Sequence, residues 1–209
     1  MNRAQQNERN RALVLSAARR VFLARGYHAA TLDEIADEAG FSKGVVYSQF
    51  QGKADLFMAL LEARIEERAE ENTKLAADMA YGGGLPVLLD HLARADNATP
   101  GWLLLVIEFR VHAARDIELS RRYAAAHART VEALTGVLTA IEKRTDEEFA
   151  LAPHRLAEVM LAISAGAALE QAANPVSFDG QQLARLFAGL LQPAAPMSPA
   201  GAPTGSSRP

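Results

Sequence analysis

The stretch TLDEIADEAGFSKGVVYSQFQGKADLF, Thr31 to Phe57, carries two helix starts and one helix stop. Thr31 and Glu34 form a capping box: the threonine oxygen accepts from the third amide of the helix, and the glutamate reaches back to the Thr31 amide. Ala30 before the box and Ile35 inside it can close a hydrophobic staple. Gly40 stands where a left-handed residue would end this helix, and Ser42 caps a new one two residues later, with Phe41 and Val46 repeating the staple. Two short helices with a three-residue joint have helix-turn-helix spacing. In the second of them Val46 and Phe50 share one helical row and face the core. Lys43 with Tyr47, and Gly44 with Ser48, form two rows turned outward. Gly44 costs roughly 1 kcal/mol relative to alanine inside a helix, and close approach to a sugar-phosphate backbone would account for it.

Working outward, the periodicity predicts an all-α chain of about nine helices, because no run alternates at period two long enough for a strand. A first helix, roughly Asn7 to Arg25, puts Leu13, Val14, Ala17, Ala18, Val21 and Phe22 on one stripe and ends at Gly26 as a left-handed cap. A long helix runs from Lys53 to about Met79 and breaks at Gly82-Gly83-Gly84. A short one, Leu85 to Ala95, follows. Thr99-Pro100 starts the next, which extends to Ala114, and Asp116 caps another that runs to about Lys143. Pro153 opens a helix to about Ala173, Asn174-Pro175 stops it, and Asp179 with Gln182 begins the last, ending near Gln192. Pro, Ala, Ser and Gly dominate residues 193–209, which cannot repay their ordering entropy and are expected to be a disordered tail. The expected division is a head over 1–52, a trunk over 53–192 and the tail.

Composition narrows the chemistry. With 209 residues, about half of them apolar, the chain can bury one good core and a second smaller one. The absence of cysteine removes disulfides, thiolate metal sites and cysteine nucleophiles. The five histidines, His28, His91, His112, His127 and His154, never stand three or four apart, so no helical metal pair forms and no metal or cofactor is expected. The glycine run at 82–84 lacks the lysine and the preceding strand of a phosphate-cradling loop, and no catalytic residue is assigned. Net charge is −3, but residues 1–53 hold eight Lys and Arg against five Asp and Glu, +3, leaving −6 on the remainder. A basic head on an acidic trunk suits a nucleic-acid reader. The N-terminus lacks a signal peptide's apolar core, and the Leu103 to Ile107 run is too short to cross a bilayer, so a cytoplasmic protein with no membrane partner is expected.

The segment Thr31 to Phe57 closely resembles the TetR-family signature. Capping box, Ile35-Ala36, the Gly40 turn, Ser42-Lys43-Gly44, Tyr47, Phe50, Lys53 and Leu56-Phe57 all sit at the family's spacing. The resemblance covers about fifty residues including the first helix; beyond them it extends only to helix number and order. It implies phosphate or base contact for Thr31, Ser42, Lys43, Gly44, Val45, Tyr47 and Lys53. The third helix would lie in the major groove, with Lys43 and Tyr47 on phosphates, Val45 and Gln49 near base edges, and Lys53 anchoring a flanking phosphate. Ser48 and Gln49, also placed in the DNA-reading set, depart from the aromatic residue and the histidine frequent at those positions. Gln51-Gly52 replaces a Pro-Ser type of turn.

By the same resemblance, a small-molecule effector of unknown identity would bind among the middle helices, lined by Trp102, Phe109, Tyr123 and Met160, with Glu108, His112 and His127 orienting it. The competing reading of Trp102 is plain core, and of His112 and His127 a surface or hydrogen-bonded core position. The family forms dimers through its last two helices, which here carry Leu161, Gly166, Leu169, Leu183, Phe187 and Leu190. The expected function is a ligand-responsive, homodimeric regulator, a repressor, that reads a near-palindromic duplex DNA operator. The alternatives are an enzyme with an unrelated site in the C-terminal helices and a non-sensing architectural helix bundle.

Overall fold

The structure, a computed structural model, describes residues 2–79, 101–145, 149–177 and 180–191. Eight helices lie among the described residues: α1 (Arg3–Ala29), α2 (Leu32–Ala39), α3 (Lys43–Gln49), α4 (Lys53–Met79), α5 (Trp102–Ala113), α6 (Ile117–Thr145), α7 (Pro153–Ala173) and α8 (Gly180–Leu190). The chain is all-α, with no strand among the described residues. The expected break at Gly82–Gly84, the helix over 85–95, the Thr99-Pro100 start, Asp179 and the tail lie outside the described residues.

Local chemistry sets most boundaries. Thr31 Oγ1 accepts from the Glu34 amide at 3.2 Å while Glu34 Oε2 accepts from the Thr31 amide at 3.1 Å, so the capping box forms. Gly40 closes α2 at φ 71° and ψ 28°. Asp116 Oδ1 accepts from the amides of Glu118 and Leu119 and starts α6. Pro153 occupies the first turn of α7, and Asn174 ends it in extended conformation.

Helix α1 departs from expectation at both ends. It starts earlier, because Asn2 and Gln5 make a second capping box. At its far end Gly26, φ 75° and ψ 169°, is no αL cap: it breaks the helix, which resumes for one further turn.

Two apolar cores organise the packing. The first joins Val14, Phe22 and Tyr27 of α1, Ile35 of α2, Val46 of α3, Phe57 and Leu61 of α4, Phe109 of α5 and Tyr123 of α6. The second joins Val131, Leu138 and Ile141 of α6 to Leu156 and Met160 of α7 and Leu183 and Phe187 of α8. A boundary at residue 52 therefore marks a change of helix but no gap in the core. Helix α7 is the one described helix that is long and apolar enough to cross a membrane by length and composition. Here Leu156, Ala157, Met160 and Ala167 bury one of its faces in the second core.

Candidate nucleic-acid interface and its joint with the trunk

Helix α3 is oriented by its inner row: Val46 is fully buried and Phe50 nearly so. Tyr47 is thereby turned out, 56% exposed. Lys43, Gly44 and Ser48 are exposed beside it. A Cβ added at Gly44 would meet only the Ser42 hydroxyl, at 3.9 Å, so nothing within the described protein requires glycine there.

Several of the expected DNA-reading side chains are already engaged. Lys43 pairs with Asp33 of α2, whose carboxylate raises the lysine pKa by hydrogen bond and charge. The Ser48 hydroxyl donates to the Val45 carbonyl at 2.9 Å. Thr31 is committed to its capping box, whereas Ser42 makes no side-chain capping bond. Val45 and Gln49 are half-buried, and Gln49 Oε1 is enclosed without a partner among the described residues, so it meets a base edge only by turning outward.

Lys53 differs most from expectation. Its Nζ donates to the carbonyls of His28 and Ala30, both at 2.9 Å, and lies 4.9 Å over the Tyr27 ring. Burial lowers its pKa. In this state the ammonium caps the end of α1 instead of standing free at a helix N-terminus.

The residues expected to line an effector pocket separate into two groups. Phe109 stacks on Phe57 at 4.3 Å and meets Tyr27 edge-on at 5.1 Å, Trp102 stacks on Phe57 at 6.3 Å, and Tyr123 lies 6.2 Å from Phe109. These rings are the joint between head and trunk, which corrects their reading as a pocket wall. The sequence shows their density but not that their partners come from α1 and α4. Met160 belongs to the second core and does not join them. Glu108 also requires correction: its Oε2 accepts from the Tyr27 backbone amide at 2.8 Å, so it binds the head. His112 lies against Tyr27 and His28, with ring centroids 5.0 and 5.7 Å away. His127 stacks on Tyr123, and burial lowers its pKa, assisted by Arg110 and opposed by Glu158.

The C-terminal apolar set also divides. Leu183 and Phe187 are buried in the chain's own second core, because that row of α8 is taken up by α6 and α7, and this corrects their assignment to a subunit interface. Leu161 and Leu190 are half-buried, Leu169 is exposed, and a Cβ on Gly166 would meet nothing within 4 Å. Leu186, another bulky apolar residue of the last helix, is exposed and joins this outward face.

Residues 14–60 match the family model described as "Bacterial regulatory proteins, tetR family". The transcriptional activator FasR of Mycolicibacterium smegmatis is 49% identical over 65 residues, 31% of this chain and 29% of FasR. The transcriptional repressor Rv1474c of Mycobacterium tuberculosis is 30% identical over 125 residues, 60% of this chain and 62% of that protein. These matches span from under a third to about three fifths of the relatives' own lengths. The fold as a whole is shared with FadR of Bacillus subtilis, solved in complex with stearoyl-CoA, at a TM-score of 0.66 and 19% identity over 86% of this chain and 96% of that one. The head is thus similar to the TetR family of bacterial regulatory proteins over residues 14–60, and the all-helical fold of the chain as a whole is that of the solved regulator FadR.

Proposed function

We propose that this protein is a cytoplasmic, homodimeric transcriptional regulator that binds duplex DNA through α2 and α3 and is released by a small, mostly apolar effector. The observation that carries this reading is α3 itself: a seven-residue helix anchored by Val46 and Phe50 that turns Lys43, Gly44, Tyr47 and Ser48 outward. A helix so mounted, after a three-residue joint, has the geometry to enter a major groove. Gly44 then allows the phosphate backbone close, and Lys43 exchanges Asp33 for phosphate. Ser42, Val45, Gln49 and the N-terminus of α2 at Thr31 complete the contact set.

Dimerisation is assigned to the face of α7 and α8 formed by Leu161, Gly166, Leu169, Leu186 and Leu190. Two such heads, related by a two-fold axis, read half-sites about one helical turn apart. The effector is assigned to the region between α5, α6 and α7, at the seam between the two cores where His127 sits. The apolar class is supported by FadR, whose related fold holds stearoyl-CoA. Repression is the sign we assign, because the match to the repressor Rv1474c covers about twice as much of this chain as the match to the activator FasR.

Selection of bound duplexes from a random pool tests the reading. The expected product is an inverted repeat with half-sites about 10 base pairs apart, centre to centre. A pool that emerges without any enriched sequence would overturn it.

A further inference from the structure

The break in α1 at Gly26 leaves a single isolated turn, residues 27–30, within the head, between the main body of α1 and α2. Gly26 rotates the following peptide out of the helix, so the Tyr27 amide loses the carbonyl that a continuous helix would offer it. That amide instead donates to Glu108 Oε2 of α5 at 2.8 Å. At the other end of the same turn the carbonyls of His28 and Ala30 accept from Lys53 Nζ, both at 2.9 Å. A carboxylate thus holds the amide end and an ammonium the carbonyl end, the polarity a helix dipole favours. Both charges come from outside the head. Gly26 is fitted to this arrangement: its φ is 75°, and a Cβ there would lie 2.9 Å from Glu108 Oε2. The surrounding contacts of Tyr27 with Phe109 and His112 are ring packing, which tolerates sliding; the charge-assisted bond to Glu108 is directional and fixes one register.

We infer that Glu108 is a positioning residue for DNA binding, the directional link through which α5 sets the orientation of the head. It touches no DNA. Lys53 opens α4, directly after the head; Glu108 is 81 residues from Tyr27 in sequence, on a separate helix of the trunk. A displacement of α5 therefore reaches the head through this bond. The inference rests on the DNA-binding reading above.

The test compares two duplexes: the inverted repeat selected from the random pool, and the same duplex with one half-site scrambled. A correctly oriented pair of heads gains affinity on the first by engaging both halves, and a single half-site does not report their relative orientation. Glu108→Ala should leave half-site affinity within about twofold of wild type and reduce the two-site advantage about tenfold or more. Glu108→Gln, which retains an acceptor for the Tyr27 amide, should restore most of that advantage. Hydrogen exchange over residues 26–30 should be faster in Glu108→Ala than in the other two proteins. Binding of the inverted repeat should alter exchange over residues 102–113 in wild type but not in Glu108→Ala, since linkage is reciprocal. An unchanged two-site advantage in Glu108→Ala would overturn the inference. Equal loss on both duplexes would also overturn it, because that is the signature of a damaged head. If wild type itself fails to prefer the selected repeat over the scrambled duplex, the DNA-binding reading falls and the inference with it.

Discussion

At the scale of single residues, Tyr27 shows how one side chain can carry a joint. Its ring meets Phe22, Phe57, Phe109 and His112, and it is almost fully enclosed. Burial pushes its pKa up to about 12, since phenolate is not tolerated there. The folded-state value exceeds the unfolded value of about 10, so this stabilisation is complete below pH ~10 and is lost as pH rises through about 12. Two units correspond to at most ~2.7 kcal/mol. Urea unfolding of wild type between pH 9 and 11 should show a decline of ~1 kcal/mol or more that Tyr27→Phe lacks, because phenylalanine keeps the packing and cannot ionise. Parallel curves for the two proteins would mean the ring is not held this way in solution.

At the scale of elements, two glycines four residues apart stand in opposite circumstances. Gly40 ends α2 at φ 71°, and a Cβ there has open space around it, so the cost of alanine is conformational alone. Gly40→Ala should lose ~1–2 kcal/mol, the penalty of the left-handed region. Gly44 is helical and uncrowded, so Gly44→Ala should gain up to ~1 kcal/mol from helix propensity. On the DNA-binding reading, the more stable Gly44→Ala protein should bind the selected duplex more weakly, since its methyl group meets the phosphate backbone. Thermal unfolding and a binding titration on the same two proteins check both signs. A Gly44→Ala protein that binds as tightly as wild type would remove the backbone approach from the proposed contact set.

At the scale of the whole molecule, the C-terminal helices pose a choice between inward and outward burial. Adjacent residues of α8 separate the two: Phe187 is 2% exposed and Leu186 is 44% exposed within one chain. Phe187→Ala should destabilise the fold by ~3–5 kcal/mol through a cavity in the second core. Leu186→Glu should leave that core intact yet place like charges across a two-fold interface, giving a folded monomer. Light scattering with circular dichroism distinguishes these outcomes. A monomeric mass for the unmodified protein would dispose of the dimer, and with it the spacing expected of the half-sites.

The sequence by itself determined what depends on neighbours within one or two turns: the capping box at Thr31, the αL stop at Gly40, the Asp116 cap, the Pro153 start and the inward row of Val46 and Phe50. These are short-range effects of backbone dihedrals, caps and helical period, and a linear pattern records them. Partners distant in sequence were legible only after folding. Lys53 read as a phosphate anchor from the family resemblance and its place at a helix N-terminus; the carbonyls that engage it belong to His28 and Ala30, more than twenty residues away in sequence. Glu108, Phe109 and Tyr123 read as pocket lining because their density is local while their contacts with Tyr27 and Phe57 cross between head and trunk. Leu183 and Phe187 share an apolar stripe whose burial, within the chain or between chains, is decided by where α6 and α7 lie. Periodicity specifies that a face is buried; only tertiary packing decides against what, because the hydrophobic effect is non-directional and any apolar partner of the right shape satisfies it.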